Sequence, residues 1–191
     1  MKKIGILASH NGSGFDAIWQ ACVDNRLDAK VVLVVSNNSE AAVLQKAHSR
    51  EIEACVVNTK LYPHDNLDEK ITKLFLEHEC DYIFLSGYMK KLEKELVSTF
   101  ENRIINAHPA LLPKFGGKGM YGRNVHEAVL NAKEKISGCT IHFVNEHYDE
   151  GEYILQKSIE IKSDETVESL ENKIKSLESV AIIEAFNKLI I

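Results

Sequence analysis

Two hydrophobic rhythms alternate along this chain. Short unbroken apolar runs read as strands buried on both faces: KIGILAS from Lys3, AKVVLVVS from Ala29, EACVV from Glu53, DYIFLSG from Asp81 and RIINA from Arg103. Between them, apolar residues recur at helical spacing. Phe15, Ile18, Trp19, Cys22 and Val23 form one stripe, EAAVLQKAHSR a second helix, and Leu67, Ile71, Leu74 and Phe75 a third. That third helix opens on Asn66-Leu67-Asp68-Glu69, which has the form of a capping box. EKELVSTF and VHEAVLNA continue the helical rhythm. Strands separated by helices cannot pair as hairpins, so the pattern predicts a parallel sheet covered on both faces.

After residue 137 the rhythm changes. GCTIHFV and EYILQKSIEI are strands separated by one short loop, which suits an antiparallel pair at a sheet edge. A long helix from about Thr166 follows, with Val167, Leu170, Ile174, Leu177 and Ala181 on its apolar stripe. The prediction is an α/β fold: three layers, doubly wound, mostly parallel, with an antiparallel C-terminal pair. No repeat, low-complexity segment or Gly/Pro-rich linker divides residues 1–191, so one domain is expected.

Composition narrows the partners. A net charge of −5 argues against a nucleic-acid partner, and no apolar run is long enough to span a membrane. Cys22, Cys55, Cys80 and Cys139 are widely spaced and lack a C-x-x-C pair, which points to reduced thiols in a cytoplasmic protein without a cysteine metal site. Small-molecule substrates are the expected partners of a monomer or homodimer.

In open parallel sheets ligands bind outside the carboxyl ends of the strands, so chemistry is sought there. SHNGSGF (Ser9–Phe15) leads directly into a helix, and Gly12, Ser13 and Gly14 let backbone N–H groups approach a phosphate. A dinucleotide fingerprint is not complete, because the third glycine is missing and the second strand ends in SNNSE. SGYMKKL offers Gly87 for close approach and Met89 as an apolar wall. NAHPALLPKF places Asn106 and His108 two residues apart, hence on one strand face, and then stiffens the chain at Pro109 and Pro113. The glycine-rich stretch GGKGMYG follows. In HFVNEHYDEGEYILQ, Asp149-Glu150-Gly151 reads as the turn between two strands, whose carboxylate could stand beside His108 and keep its ring protonated. His108, His142 and His147 form no i, i+4 pair, so no metal is expected.

Together, NGSG, NAHPALLPKF with GGKGMYG, and HFVNEHYDEGEYILQ resemble the glycinamide ribonucleotide formyltransferase family of the folate-dependent formyltransferase superfamily. The likeness runs from Lys3 nearly to the end of the chain. The KGMYG-x-x-VHEAV continuation and the short length favour that branch over methionyl-tRNA formyltransferases, which are expected to carry a further C-terminal domain. They also favour it over deformylases, which are expected to carry an extra N-terminal domain. The resemblance implies the formyltransferase fold and a formyl group moved from 10-formyltetrahydrofolate, as co-substrate, to glycinamide ribonucleotide in purine synthesis. It implies a catalytic trio of Asn106, His108 and Asp149, with Asp149 favouring the protonated His108 ring. Gly12, Ser13 and Gly14 would take the phosphate and Glu178 the ribose. Folate would meet Met89, Lys90, Lys91 and Leu92 on one side. Asn106 and the loop of Asn145, Glu146, His147, Tyr148 and Asp149 would lie on the other. A cis bond at Leu112–Pro113 is implied as well. Two positions depart from the pattern: Gly14 replaces a common asparagine, and His64 falls near an arginine that meets the folate tail. Two other readings stay open, a formyltransferase acting on an amino sugar or tRNA, and a non-enzymatic phosphate-binding module in which His108 is structural.

Overall fold

A computed structural model describes residues 1–190; Ile191, the last residue of the predicted single domain, lies outside the described residues. Each apolar run forms a strand. β1 (Lys2–Ala8), β2 (Ala29–Ser36), β3 (Glu53–Val56), β4 (Tyr82–Leu85) and β5 (Ile104–His108) pair in parallel, and β6 (Ile136–Phe143) and β7 (Tyr153–Glu160) complete the sheet antiparallel. The order is β3-β2-β1-β4-β5-β6-β7. The chain therefore winds outward from β1 to one edge, returns to β4 beside β1, and winds outward to the other edge. β1 and β4 flank the point where the winding reverses, the place where such sheets open a ligand crevice.

Among the described residues six helices cover the sheet: α1 (Ser13–Val23), α2 (Ala42–Ser49), α3 (Leu67–Glu77), α4 (Lys94–Thr99), α5 (Arg123–Asn131) and α6 (Val167–Leu189). Alternation along β1 divides the core in two. Ile4, Ile6 and Ala8 pack with α1, α2, α5 and α6, whereas Leu7 packs with Ile71 and Phe75 of α3 and Leu96 and Val97 of α4. Gly5 lets α3 settle on the sheet, because a Cβ there would lie 2.5 Å from the Phe75 ring. The predicted stripe of α1 is corrected at one residue: Val23, in its last turn, is 55% exposed. The other stripe residues, Phe15, Ile18, Trp19 and Cys22, are buried or half-buried.

Asn66 caps α3 by accepting the N–H groups of Asp68 and Glu69. Asp68 in turn caps a different helix. It is buried, and its two carboxylate oxygens accept from Glu93 N–H (3.1 Å) and Leu96 N–H (2.8 Å) at the start of α4. A six-residue helix is too short to persist by itself, so this cap and the burial of Leu96 hold α4 against the sheet. At the other end of the chain, Thr166 and Ser169 form a reciprocal capping box that starts α6 where its apolar stripe begins.

Candidate active site

The loop predicted to take a phosphate follows β1. Gly12 adopts φ +67° as the N-cap of α1, and a Cβ there would lie 2.5 Å from Val43 Cγ2, so both conformation and space require glycine. Ser13 is exposed at the first helical position, among the N–H groups that a helix cannot bond internally. α2 braces this loop: Val43 N–H donates to His10 O (3.1 Å), and Lys46 Nζ donates to Asn11 O (2.9 Å) and to Asp16. Gly14 is buried, and a Cβ there would meet Phe84 Cε1 at 2.4 Å. The absent side chain at this position is thus matched by the Phe84 ring, which fills its space.

The β4 connection carries the segment predicted to face folate. Gly87 has φ +70°, and Ser9 ties the segment to the loop after β1: its Oγ accepts Met89 N–H (2.8 Å) and donates to Asn37 Oδ1 (2.6 Å). Met89, Lys90 and Lys91 are exposed. Leu92 is buried in the α3–α4 core, so only its backbone can face a ligand. His64 is exposed in the connection ahead of α3.

β5 extends through His108, one residue further than the apolar run indicates, so Asn106 and His108 share one face as regular strand residues. Opposite them, β6 pairs His142 with Asn106 and Thr140 with His108. Thr140 fixes the departing loop: its Oγ donates to Ala110 O (2.7 Å) and accepts Leu112 N–H (3.0 Å), while Gln156 Nε2 donates to Leu112 O (2.9 Å). The Leu112–Pro113 bond within this loop is cis.

β6 is antiparallel to β5, so its outgoing connection leaves at the starting end of β5. This changes the expectation that every constellation sits at the carboxyl ends of the parallel strands. The loop instead folds back, with Asp149 in the left-handed region at φ 58°, a conformation that aspartate tolerates better than most side chains. Asp149 Oδ2 lies 3.5 Å from His108 Nδ1 and accepts Gly117 N–H at 2.8 Å. Its Oδ1 lies 3.7 Å from His142 Nε2. Gly151 closes the hairpin, since a Cβ there would lie 1.7 Å from Phe143 O. Within the loop, Asn145 Oδ1 accepts His147 N–H (2.8 Å), and Glu146, His147 and Tyr148 are exposed.

Hydrogen-bond partners fix the protons on two imidazoles. His108 Nε2 lies 2.7 Å from Phe115 O; a carbonyl only accepts, so Nε2 carries hydrogen. Nδ1 faces Asp149 at ion-pair distance without the geometry of a hydrogen bond. His142 Nδ1 lies 2.8 Å from Phe143 O and carries hydrogen by the same reasoning. Its Nε2 lies 3.1 Å from Asn106 Nδ2. Burial pushes the His142 pKa down and outweighs the opposing pull of Phe143 O and Asp149. His142, whose spacing from the other histidines suits no metal, lies beside both Asn106 and Asp149. Its pairing with Asn106 depends on strand register, which sequence periodicity does not reveal.

Glu178 lies on α6 and faces β6, where its charge acts on the Cys139 thiol. Burial pushes its carboxyl up to about 8, with Lys175 pulling the other way. All four cysteines are free, and burial pushes Cys22 up to about 11 and Cys80 and Cys139 up to about 12, so these three stay as unreactive thiols at neutral pH. No helix among the described residues is long and apolar enough to cross a membrane.

A doubly wound sheet with an Asn-x-His strand end answered by an aspartate from a later hairpin defines a class, and residues 2–186 match the sequence profile of the formyl transferase family. The chain belongs to that family. It is similar to the phosphoribosylglycinamide formyltransferase of Bacillus subtilis (strain 168), at 35% identity over 93% of this chain and 89% of that one. The chloroplastic phosphoribosylglycinamide formyltransferase of Arabidopsis thaliana is 39% identical over 91% of this chain, which spans only 60% of the length of that relative. Among solved structures, glycinamide ribonucleotide transformylase 1 from Symbiobacterium toebii superposes with a TM-score of 0.90 at 32% identity, covering 97% of this chain and 86% of that one.

Proposed function

We propose that this chain transfers a formyl group from 10-formyltetrahydrofolate to the amine of glycinamide ribonucleotide, in the cytoplasm, as a step of purine biosynthesis. The observation that carries the reading is the convergence of Asn106, His108 and Asp149 in a chain so similar to phosphoribosylglycinamide formyltransferases. The acceptor's phosphate rests on the N–H groups of the Gly12–Gly14 loop and its ribose meets Glu178. The pterin lies along the Met89–Leu92 backbone, facing Asn106 and the Asn145–Asp149 loop.

The amine attacks the formyl carbon, and the carbonyl oxygen gains negative charge in the tetrahedral intermediate. Asn106 Nδ2–H and His108 Nδ1–H are the donors aimed at that oxygen. His108 Nε2–H is committed to Phe115 O, so Nδ1 holds the proton His108 has to offer. The Asp149 carboxylate lies 3.5 Å from this nitrogen, at ion-pair distance. Each such donor is worth roughly 3–4 kcal/mol of barrier. As the intermediate collapses, the proton lost by the attacking nitrogen reaches the departing folate nitrogen, and no change in oxidation state occurs.

The test is a formyl-transfer assay with both substrates, following folate absorbance. Turnover that depends on glycinamide ribonucleotide supports the reading. Turnover with an amino sugar or an aminoacyl-tRNA in its place would move the acceptor to another class, and absence of all three activities would leave a binding module.

A further inference from the structure

His142 stands between the two halves of the candidate site without a part in the chemistry so far described. We propose that His142 is a positioning residue: held as its Nδ1–H tautomer by the Phe143 carbonyl, it accepts a hydrogen bond from Asn106 and thereby locks the amide in its donating orientation. The inference rests on the reading that Asn106 donates to the formyl oxygen.

The orientation of an asparagine amide is ambiguous from its shape alone. Its oxygen and nitrogen ends have nearly the same shape, so the orientation must come from the partners. Register pairs Asn106 with His142 across β5 and β6. A bulge helps to aim the ring: opposite Ile141 and His142, β7 advances from Leu155 to Tyr153 and spends Ile154 as an extra residue. The Phe143 carbonyl, 2.8 Å from Nδ1, requires hydrogen on that nitrogen. A neutral ring then has only a lone pair at Nε2, and Asn106 Nδ2 lies 3.1 Å from it. Turning the amide over would set Oδ1 against this lone pair, acceptor against acceptor. One N–H of Asn106 is therefore used on His142, and the second remains for the reacting oxygen.

The lock requires a neutral ring. The charged groups that act on the ring are Asp149, with Oδ1 at 3.7 Å from Nε2, and His108. Asp149 favours a second proton, His108 opposes it, and the burial of His142, 2% exposed, opposes it most strongly. A doubly protonated ring would donate from Nε2 and turn the Asn106 oxygen toward itself, so the orientation of the catalytic amide depends on the protonation of its neighbour.

Two measurements test this. In the substrate-free wild-type protein at pH 7.5, long-range ¹⁵N–¹H correlation should show His142, assigned by its loss in His142→Gln, protonated at Nδ1 and bare at Nε2. A proton at Nε2 overturns the proposal, whatever the reaction catalysed. In the formyl-transfer assay, His142→Phe should lower kcat about tenfold to a hundredfold with both KM values changed less than about threefold, an effect smaller than outright loss of a donor. His142→Gln, which can still present an acceptor, should recover part of that loss. In an Asn106→Ala background, His142→Phe should add less than about twofold, because the group it positions is gone. Independent, multiplying losses in the double variant would overturn the proposal. If wild-type protein transfers no formyl group, the functional reading fails, while the tautomer measurement still decides the His142–Asn106 lock.

Discussion

Replacing Asp149 by asparagine removes one charge and almost nothing else. The side chains have the same shape, and asparagine accepts the left-handed φ of 58° at least as readily. Its Oδ1 can still accept Gly117 N–H, now at 2.8 Å from Asp149 Oδ2, so the glycine loop keeps its anchor. The charge itself lies 3.5 Å from His108 Nδ1. At an effective dielectric of about 20, two unit charges at that separation attract by about 5 kcal/mol. The asparagine dipole and local water replace part of this, leaving a loss of about 3–4 kcal/mol and a fall in kcat of two to three orders of magnitude, roughly. The oxygen that accepts Gly117 N–H is also the one that faces His108 Nδ1, so the variant keeps a neutral acceptor there and places Nδ2 toward His142 Nε2. Both KM values should change little, because the interaction strengthens as the oxyanion forms. Steady-state formyl transfer gives kcat, and circular dichroism with a thermal melt establishes that the variant is folded. Retention of more than about a tenth of wild-type kcat in a folded variant would refute the electrostatic role of Asp149.

Three further outcomes follow from the same geometry. Gly12→Val places a β-branched residue at φ +67° with its Cβ against Val43, and should raise KM for the phosphorylated acceptor at least tenfold, roughly, with folate affinity nearly intact; equal loss of both ligands, measured by titration, would indicate a general collapse of the loop. Gly14→Asn should destabilise the fold by about 1–3 kcal/mol through its clash with Phe84, and Phe84→Val in the same chain should recover part of that loss in urea unfolding. Glu178, whose carboxyl burial raises to about 8 from 4.5, binds its proton more tightly folded than unfolded; stability should therefore fall as pH rises from about 4.5 through about 8, and thermal melts across that window should be flatter in Glu178→Gln.

The strand and helix pattern was legible because a doubly wound sheet writes its burial directly into the chain. Ile4, Ile6 and Leu7 could belong only to a strand covered on both sides, and the switch near residue 137 to two adjacent strands marked the antiparallel edge. Gly12, Asn106 and His108 were legible because their constraints are local: a helix start and a strand face. What escaped was set by partners distant in sequence. Asp68 reads as a first-turn acid of its own helix, yet it caps α4, because tertiary packing gives it a buried use. His142 reads as one apolar-strand histidine among eight histidines until the β5–β6 register and the β7 bulge place it on Asn106. Val23 keeps the helical period of its stripe but falls in the last turn, where α1 runs past its cover.

The hairpin that delivers Asp149 is pinned at both ends. Gly151 fits directly against Phe143 O, Phe143 N–H donates to Glu152 O, and Val144 N–H donates to Ile104 O. Glu146, His147 and Tyr148 project outward between these anchors. Such an arrangement separates what selection can vary from what it must keep. The exposed positions can be rewritten to suit a different tail or a different acceptor without displacing the carboxylate, whereas any side chain at residue 151 would move it. A library randomised at 146–148 with Asp149 and Gly151 held is therefore the natural starting point for evolving new specificity on this scaffold.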